Sequence, residues 1–466
     1  MPPPPTLLFG TVDKFAQLTF VQDGKAGILF GLQNGTRVYA PPTLIIQDEL
    51  HLISETLGSL VGAYESVIDG LCRAHDGMKP KIIASTATVK RADDQCRNLY
   101  ARGRFLQFPP PGLSVESSFF CREKKDLGRE YLGVQSHGLT PADTLIRLMA
   151  SILVRADHLA DYGFSPEQAD PYYTVVGYFS SMRELGSCES WVRSKIQDRV
   201  GEICSYEHYE KRFLGNPQKL NSLNDNIKNT LDDMEKKKLP IGDDGRPIDV
   251  LLATNMLSVG LDVDRMGLMV VAGQPKKNAE FIQASSRVGR NSPDVGLVVS
   301  FFNGKRARDR SYFEVFPDFI QSFYKYVEPT TVTPHTFSVR ERLLRQILVT
   351  LIRHLVPNRQ KAPQGYSHIS DDQFDEIKSF ICDHVPNSFK NVVGEEIDQM
   401  VTNLKTTPYS SYLISDSPED NSRIFCNPLL QTSIGPVGFP APAMQSLRNV
   451  DAQVPVRSLP YPTNVH

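Results

Sequence analysis

The sequence predicts a mixed α/β protein in which two α/β lobes are followed by an α-rich region. Short apolar runs alternate with helical patterns, first up to about residue 110 and again from about 141 to 310, which is typical of parallel α/β units. From about Ser311, helical periodicity replaces the alternation. The predicted division is a first lobe over 1–112, a connection over 113–140, a second lobe over 141–310, the α-rich region over 311–435 and a proline-rich tail over 436–466.

In the first lobe we predict strands over 7–9, 44–46, 81–84 and 105–108, with a helix over 52–71. Small polar or acidic residues follow the first three strands directly. Open α/β sheets bind their ligands at the carboxyl ends of the strands, so these positions are the first candidates for a site.

The second lobe shows the same alternation, and the region after it does not. The segment between the lobes is polar and irregular, and we interpret it as a connection. Beyond residue 311, apolar residues recur at helical spacing. The predicted elements are helices over 142–159, 340–355, 371–384 and 394–404, and strands over 173–179, 249–253, 268–271 and 296–300.

The composition is that of a globular protein. Of the 466 residues, 40% are hydrophobic and 22% are charged, which argues against disorder. No apolar run approaches the roughly 20 residues that span a bilayer, so we expect a cytoplasmic protein without membrane contact. The net charge of −2 means that any nucleic-acid surface is local. The seven cysteines form no CxxC pair, which argues against disulfide scaffolds and clustered zinc sites.

Two acidic residues, Asp48 and Glu49, follow the second predicted strand, with His51 two residues later. Such a carboxylate pair suits nucleotide hydrolysis, in which one carboxylate holds Mg²⁺ through water and the next polarises the attacking water. An alternative is an ordinary acidic cap of the following helix.

Hydroxyl side chains at Ser85, Thr86 and Thr88 follow the next strand. They are placed to hydrogen-bond the carboxylates at the neighbouring strand end. The alternative, again, is a helix cap.

The second lobe contributes Thr254, Gly260 and Asp262 after one strand. The Thr254 hydroxyl suits a nucleic-acid phosphate, and Gly260 permits close backbone approach. A purely structural turn explains the glycine equally well.

The sharpest cluster is the segment from Gln283 to Arg290. We expect Arg287 and Arg290 to share a helix face and to neutralise a transferring phosphoryl group, as an arginine finger does. A solvated basic helix is the alternative. A further basic cluster contains Lys305, Arg306, Arg308 and Arg310. It is compatible with phosphate binding and, equally, with an ordinary exposed turn.

The order and spacing of these motifs resemble superfamily 2 helicases and translocases, whose two RecA-like lobes clamp ATP. The resemblance implies that Asp48 coordinates Mg²⁺ through water and Glu49 activates the attacking water. It also implies that His51 and Gln283 couple the lobes, and that the two arginines of the sharpest cluster reach the γ-phosphate. The implied nucleotide and coupling residues are Ser85, Thr86, Thr88, Gly260 and Asp262, and the implied nucleic-acid contacts are Thr11, Arg183, Thr254, Lys305 and Arg306.

A narrower resemblance links the segments 42–53, 285–290 and 308–312 to the helicase component of the DISARM anti-phage systems. It implies action on DNA rather than RNA, in phage defence, with other subunits of the defence system as partners.

Three departures from the family pattern qualify this expectation. The sequence contains no GxxxxGK[ST], the loop that cradles the phosphates. Ala284 and Ser286 replace the usual Arg and Gly, and Asn255 stands where many relatives have Asp. We therefore expect a first RecA-like lobe that is incomplete, because the chain starts partway through it, and weak ATP hydrolysis by the chain alone. The alternative function is a non-hydrolysing module that binds nucleic acid or a partner.

Overall fold

The computed structural model confirms a mixed α/β fold with a parallel central sheet. Within the described part of the chain, no helix is long and apolar enough to cross a bilayer. The structure describes residues 3–73, 76–86, 90–110, 119–120, 128–220, 227–254, 265–290, 295–359, 363, 366–415, 422–426 and 437–447.

The first 110 residues alternate strands with helices, as predicted. The strand of the acidic pair and the strand of the hydroxyl residues lie where expected, with a long helix between them. The elements are α1 Val12–Ala16, β1 Leu32–Gln33, β2 Thr36–Arg37, β3 Leu44–Gln47, α2 Glu55–Cys72, β4 Lys81–Ala84 and α3 Ala92–Tyr100.

Residues 128–328 contain the second α/β pattern, whose predicted strands and first helix are confirmed. The elements are β5 Arg129–Gln135, α4 Pro141–Asp157, α5 Pro166–Tyr173, β6 Val175–Phe179, α6 Met182–Trp191, α7 Gln197–Glu207, β7 Gln218–Leu220, α8 Ile227–Lys236, β8 Val250–Ala253, β9 Leu268–Ala272, α9 Asn278–Ser285, β10 Gly296–Phe302, α10 Ala307–Glu314 and α11 Phe316–Ser322.

Beyond residue 328 the three predicted helices are present and short strands follow them. The elements are α12 Phe337–Leu355, α13 Asp371–Asp383, α14 Asn387–Thr406, β11 Ser411–Ser415, β12 Arg423–Cys426 and β13 Ala441–Pro442.

The contacts within the chain define two compact units. Unit 1 contains residues 1–110 and 329–466, and unit 2 contains residues 111–328. In unit 1 the helices from both ends of the chain share one core, in which α2 packs against α12. Strands β3 and β4 pair in parallel beside this core. Their outer side chains stay accessible, with Leu44 47% and Ile46 69% exposed.

Unit 2 is built on a six-stranded parallel sheet with the strand order β5-β10-β9-β6-β8-β7. Every residue of β6, β8 and β9 is buried, because helices cover both faces of the sheet. Two apolar clusters account for this burial, one on each face. The carboxyl ends of the central strands therefore meet at one edge of the unit.

Two strand predictions are wrong, and several short strands and the edge strand β5 were not anticipated. Residues 7–9 and 105–108 form no strand, and Phe9 and Leu106 are 87% and 89% exposed. An apolar run forms a strand only where a neighbouring strand completes its hydrogen bonds. The segment read as an irregular connection contains β5, which pairs with β10 along its whole length. This edge strand mixes charged and apolar residues because it is only partly buried, so its pattern is weak.

Candidate functional site

The ends of β3 and β4 are joined by backbone hydrogen bonds that place the acidic pair beside the hydroxyl residues. The Ser85 N–H donates to the Gln47 carbonyl at 2.9 Å, and the Leu50 N–H donates to the Ser85 carbonyl at 2.9 Å. Because β3 and β4 are parallel, the segments that follow them leave the sheet side by side at the same edge, as predicted from the sequence.

Asp48 is an exposed carboxylate held in its ionised form. Its Oδ1 accepts hydrogen bonds from the Ser85 hydroxyl and, at 2.9 Å, from the Glu49 N–H. The Ser85 hydrogen bond, followed by that of the Glu49 N–H and the nearby His51, lowers the pKa of Asp48. Such a group suits a hydrated Mg²⁺, which prefers one or two carboxylates together with waters and substrate phosphates.

A metal cage built from protein side chains alone is absent from the described part of the chain, where no group of three or more His, Cys, Asp or Glu residues could hold an ion. The donor set at Asp48 fits Mg²⁺ bound through water and does not fit a structural zinc site.

Glu49 differs from its neighbour in both backbone and side chain. Its φ of +51° lies in the left-handed region, which is uncommon for a residue other than glycine and costs of order 1–3 kcal/mol. Its Oε2 lies 3.3 Å from Nδ1 of His51, and the Thr86 hydroxyl lies 3.4 Å from the same nitrogen. The three side chains thus form a chain of polar contacts from β3 to β4.

A residue that sequence reasoning missed, Gln95 on α3, fixes the turn that carries His51. Its Nε2 donates to the carbonyls of Leu50 at 3.1 Å and Ile53 at 2.8 Å, and its Oε1 accepts from Thr330 at 2.8 Å. Gln95 is 1% exposed. No local pattern indicates this role, because the partners lie more than 40 residues away along the chain.

In unit 2, the predicted arginine cluster lies at the end of α9 rather than on its face. Gln283 is in the helix, but the helix ends at Ser285, so the half-buried Arg287 and the exposed Arg290 follow in a turn. The expectation that both arginines share a helix face is wrong. Gly289 has a φ of +61°, and a Cβ there would lie 2.7 Å from the Gly296 nitrogen, so this close approach requires glycine and bends the chain between the arginines.

Gln283 is a further polar group in this cluster. It is 8% exposed, and its Nε2 is buried without a hydrogen-bond partner among the described residues. An unsatisfied buried donor costs about 1–3 kcal/mol. This is the type of group that a bound ligand or a moving segment satisfies.

Arg129, at the start of β5, holds the arginine turn and was not singled out from the sequence. Its guanidinium donates to the Val288 carbonyl at 2.6 Å and to the Ser286 carbonyl at 2.8 Å. These two carbonyls flank Arg287. Residues 113–140 have no regular pattern, so nothing local singles out an arginine there.

Helix α10 organises the loop that leads into α9. The buried carboxylate of Asp309 accepts from the N–H groups of Gln274 at 3.2 Å and Asn303 at 2.8 Å. The Arg308 guanidinium donates to the carbonyls of Pro275, at 2.7 Å, and Lys276. Arg308 therefore lies on a helix and binds backbone carbonyls, which differs from the ordinary exposed turn considered from the sequence.

The remaining predicted residues have varied environments. Lys305 and Arg306 are exposed, and Arg306 pairs with Glu184. Thr11 is exposed just before α1, and Arg183 is exposed in the first turn of α6. Thr254 is buried at the end of β8, where its N–H donates to the Leu220 carbonyl at 3.3 Å. Three predicted residues lie outside the described residues: Thr88, Gly260 and Asp262.

The structure therefore brings together two groups of predicted residues, one in each unit. The first is the carboxylate group, in which Asp48, Glu49 and His51 meet Ser85 and Thr86. The second is the arginine group at the end of α9. Chemically, the first can hold a hydrated cation and orient a water, and the second can neutralise an anion.

Comparison with known proteins relates this chain to helicases. Residues 226–292 match the model of the helicase conserved C-terminal domain, a range that includes the whole arginine group. The DISARM protein DrmA of Bacillus paralicheniformis is 37% identical over 460 residues, which cover 91% of this chain and 40% of that protein. The chain thus spans less than half the length of this curated relative.

Two solved helicase structures match part of the chain at low sequence identity. The Mycobacterium smegmatis helicase Lhr, bound to single-stranded DNA and AMP-PNP, is 15% identical with a TM-score of 0.49, over 85% of this chain and 42% of that one. The DUF1998 helicase MrfA, bound to DNA and AMPPNP, is 15% identical with a TM-score of 0.48, over 73% and 40%.

Proposed function

This helicase-like chain is related to the DISARM protein DrmA and to the superfamily 2 helicases, and from that relationship we propose that it forms part of an ATP-driven helicase or translocase. Its substrate in this proposal is DNA, its setting is the cytoplasm of a bacterium defending itself against phage, and other defence subunits are its partners. Asp48 would hold Mg²⁺ through water, and Glu49 would act on the attacking water.

The observation that carries the proposal is the carboxylate group at the ends of β3 and β4. Asp48 is ionised and exposed and accepts a hydrogen bond from the Ser85 hydroxyl. His51 contacts both Glu49 and the Thr86 hydroxyl. A helix cap explains none of these contacts. The arginine group supports the same function, since Arg287 follows a helix end held by Arg129, and positively charged groups stabilise a transferring phosphoryl group.

One observation favours a second candidate, a non-hydrolysing module that binds nucleic acid or a partner. The sequence has no GxxxxGK[ST], and the residues of the two groups suit a metal ion and a terminal phosphate only. On this alternative, the carboxylate group has no catalytic use and its substitution is harmless.

Phage restriction in the native host separates the two candidates. The gene is altered at its own locus to encode Glu49→Gln or, as a matched control, Glu55→Gln on the exposed first turn of α2. We expect the first variant to lose restriction of phage plaques and the second to retain it. Unchanged restriction by Glu49→Gln, with normal protein abundance, would support the non-hydrolysing module.

A further inference from the structure

A cavity of about 380 Å³ lies in unit 2 at the carboxyl end of the sheet. Its wall contains the last residues of β6 and β9, the end of β10, the first turn of α4 and one side of α6. Ligand cavities typically measure about 300–1,000 Å³, so this one has room for a single nucleotide unit. The carboxyl end of a parallel sheet is also where such folds bind ligands.

One part of the wall is aromatic. Phe179 and Phe301 line the cavity and are 2% and 4% exposed. Trp191, at the end of α6, also lines it and is half-buried. Of the three, only Trp191 keeps part of its side chain accessible, and an aromatic face of this kind stacks against nucleobases of any sequence, because every base has a π-face.

The other part of the wall is positively charged. Arg183, Ser187 and Trp191 follow one another at intervals of four residues on α6 and therefore share a helix face. They span about 12 Å along the axis at 1.5 Å per residue. Arg306 is neutralised by its pair with Glu184, whereas the Arg183 guanidinium makes no hydrogen bond or ion pair with any residue that the structure describes.

The helix ends add to this charge. Both α4 and α6 begin at the cavity, at Pro141 and Met182, and the N-terminal end of a helix favours anions. The cavity thus combines one accessible aromatic side chain, Trp191, with the guanidinium of Arg183, which is unpaired among the described residues.

We propose that this cavity binds one unstacked base of a single nucleic-acid strand, with the base against Trp191 and the adjoining phosphate at Arg183. The inference rests on the proposed function, from which it takes the nucleic acid. It adds a specific element of that function, namely a position in unit 2 where one base leaves the stack of its neighbours.

The test uses the fluorescence of the full chain, which contains one tryptophan. A short oligothymidylate carrying a dye is added, and tryptophan emission and dye anisotropy are recorded together. We expect the strand to quench Trp191 as it binds. Trp191→Leu should weaken binding about 5- to 150-fold, the range for loss of one stacked base.

Arg183→Gln provides a second test that does not depend on a residue packed against the core. We expect it to weaken binding and to reduce the slope of log affinity against log salt by about 0.7, the value for one phosphate of a single strand. Arg147→Gln is the matched control, because Arg147 is exposed on α4 and does not line the cavity. It should leave the slope unchanged.

Three outcomes would overturn the assignment. Strand binding without tryptophan quenching, and with Trp191→Leu at wild-type affinity, removes the base pocket and leaves the proposed function intact. Quenching by free thymidine monophosphate but not by the strand assigns the cavity to a mononucleotide instead. A complete lack of strand binding at low salt contradicts nucleic-acid binding by this chain and the cavity assignment with it.

Discussion

Asp48 and Glu49 are adjacent in the chain, yet their surroundings prepare them for different tasks. Asp48 is exposed, and two hydrogen bonds to its Oδ1 stabilise the charged form. Glu49 has a left-handed backbone and contacts His51 instead. A carboxylate that stays ionised suits a metal ion, whereas one that contacts a titratable partner suits proton movement.

The Ser85 hydroxyl is the largest cause of the lowered pKa of Asp48, so its removal has a predictable effect. Ser85→Ala should raise the pKa of Asp48 toward the ordinary value of about 3.9, because a donor to the charged form is lost. The measurement is an NMR titration of the side-chain carboxyl. Thr86→Ala is the control, since Thr86 contacts His51 rather than Asp48. Equal Asp48 titrations in the two variants would contradict this account.

The elements that carry the site were predictable from the sequence to different degrees. Strands β3 and β4 were predicted because their apolar runs end in polar residues, which is the pattern of a parallel strand leaving a sheet. Strand β5 was not, because it lies at the sheet edge and its partial burial dilutes the apolar pattern. The position of Arg287 after the helix was also missed, since contacts from Arg129 and Gly296 set the end of α9.

The contact between β5 and the end of α9 is open to a direct test. Arg129→Gln removes a charged donor to the two carbonyls that flank Arg287. We expect a loss of about 1.5–3 kcal/mol in the free energy of unfolding of unit 2, the usual value for hydrogen bonds to charged groups. Amide hydrogen exchange of residues 286–290 should also become faster.

Arg147→Gln serves as the control here, since Arg147 is an exposed arginine with no partner among the described residues. If exchange in the arginine turn is equally protected in both variants, Arg129 does not position it.

At the scale of the whole molecule, unit 1 depends on contacts between the two ends of the chain. The buried carboxylate of Asp69 on α2 contacts Lys79 at 2.9 Å, His384 at 2.8 Å and Arg102. Burial raises the pKa of Asp69, but the His384 hydrogen bond and the two cations outweigh it and lower the pKa. Since Asp69 and His384 are 315 residues apart, no local pattern predicts that they meet.

The neighbouring Glu65 makes the stability of unit 1 depend on pH. Burial, and then the charge of Asp69, raise the pKa of Glu65 to about 8, against about 4.3 in an unfolded chain. Between these values the folded state binds the extra proton, so the contribution of Glu65 to stability should fall as the pH rises from about 4.3 to about 8. Glu65→Gln should remove this contribution, so the variant should become more stable relative to the wild type as the pH rises.

The measurement is urea unfolding followed by circular dichroism at several pH values, with Trp191 fluorescence reporting unit 2 separately. Glu376→Gln, at an exposed position on α13, is the control and should keep the wild-type pH dependence. A difference in stability between the wild type and Glu65→Gln that stays constant across this range would show that Glu65 is ionised in the fold.

We propose that Glu49 acts on the water that attacks ATP. The most direct measurement is ATP hydrolysis, with and without single-stranded DNA, by the assembly purified from the native host through this chain and by the chain alone. We predict weak turnover by the chain alone and DNA-stimulated turnover by the assembly. Glu49→Gln should reduce the assembly's rate about 10²- to 10⁴-fold, while Glu55→Gln should leave it unchanged. Undiminished, DNA-stimulated hydrolysis by the Glu49→Gln assembly would contradict the claim.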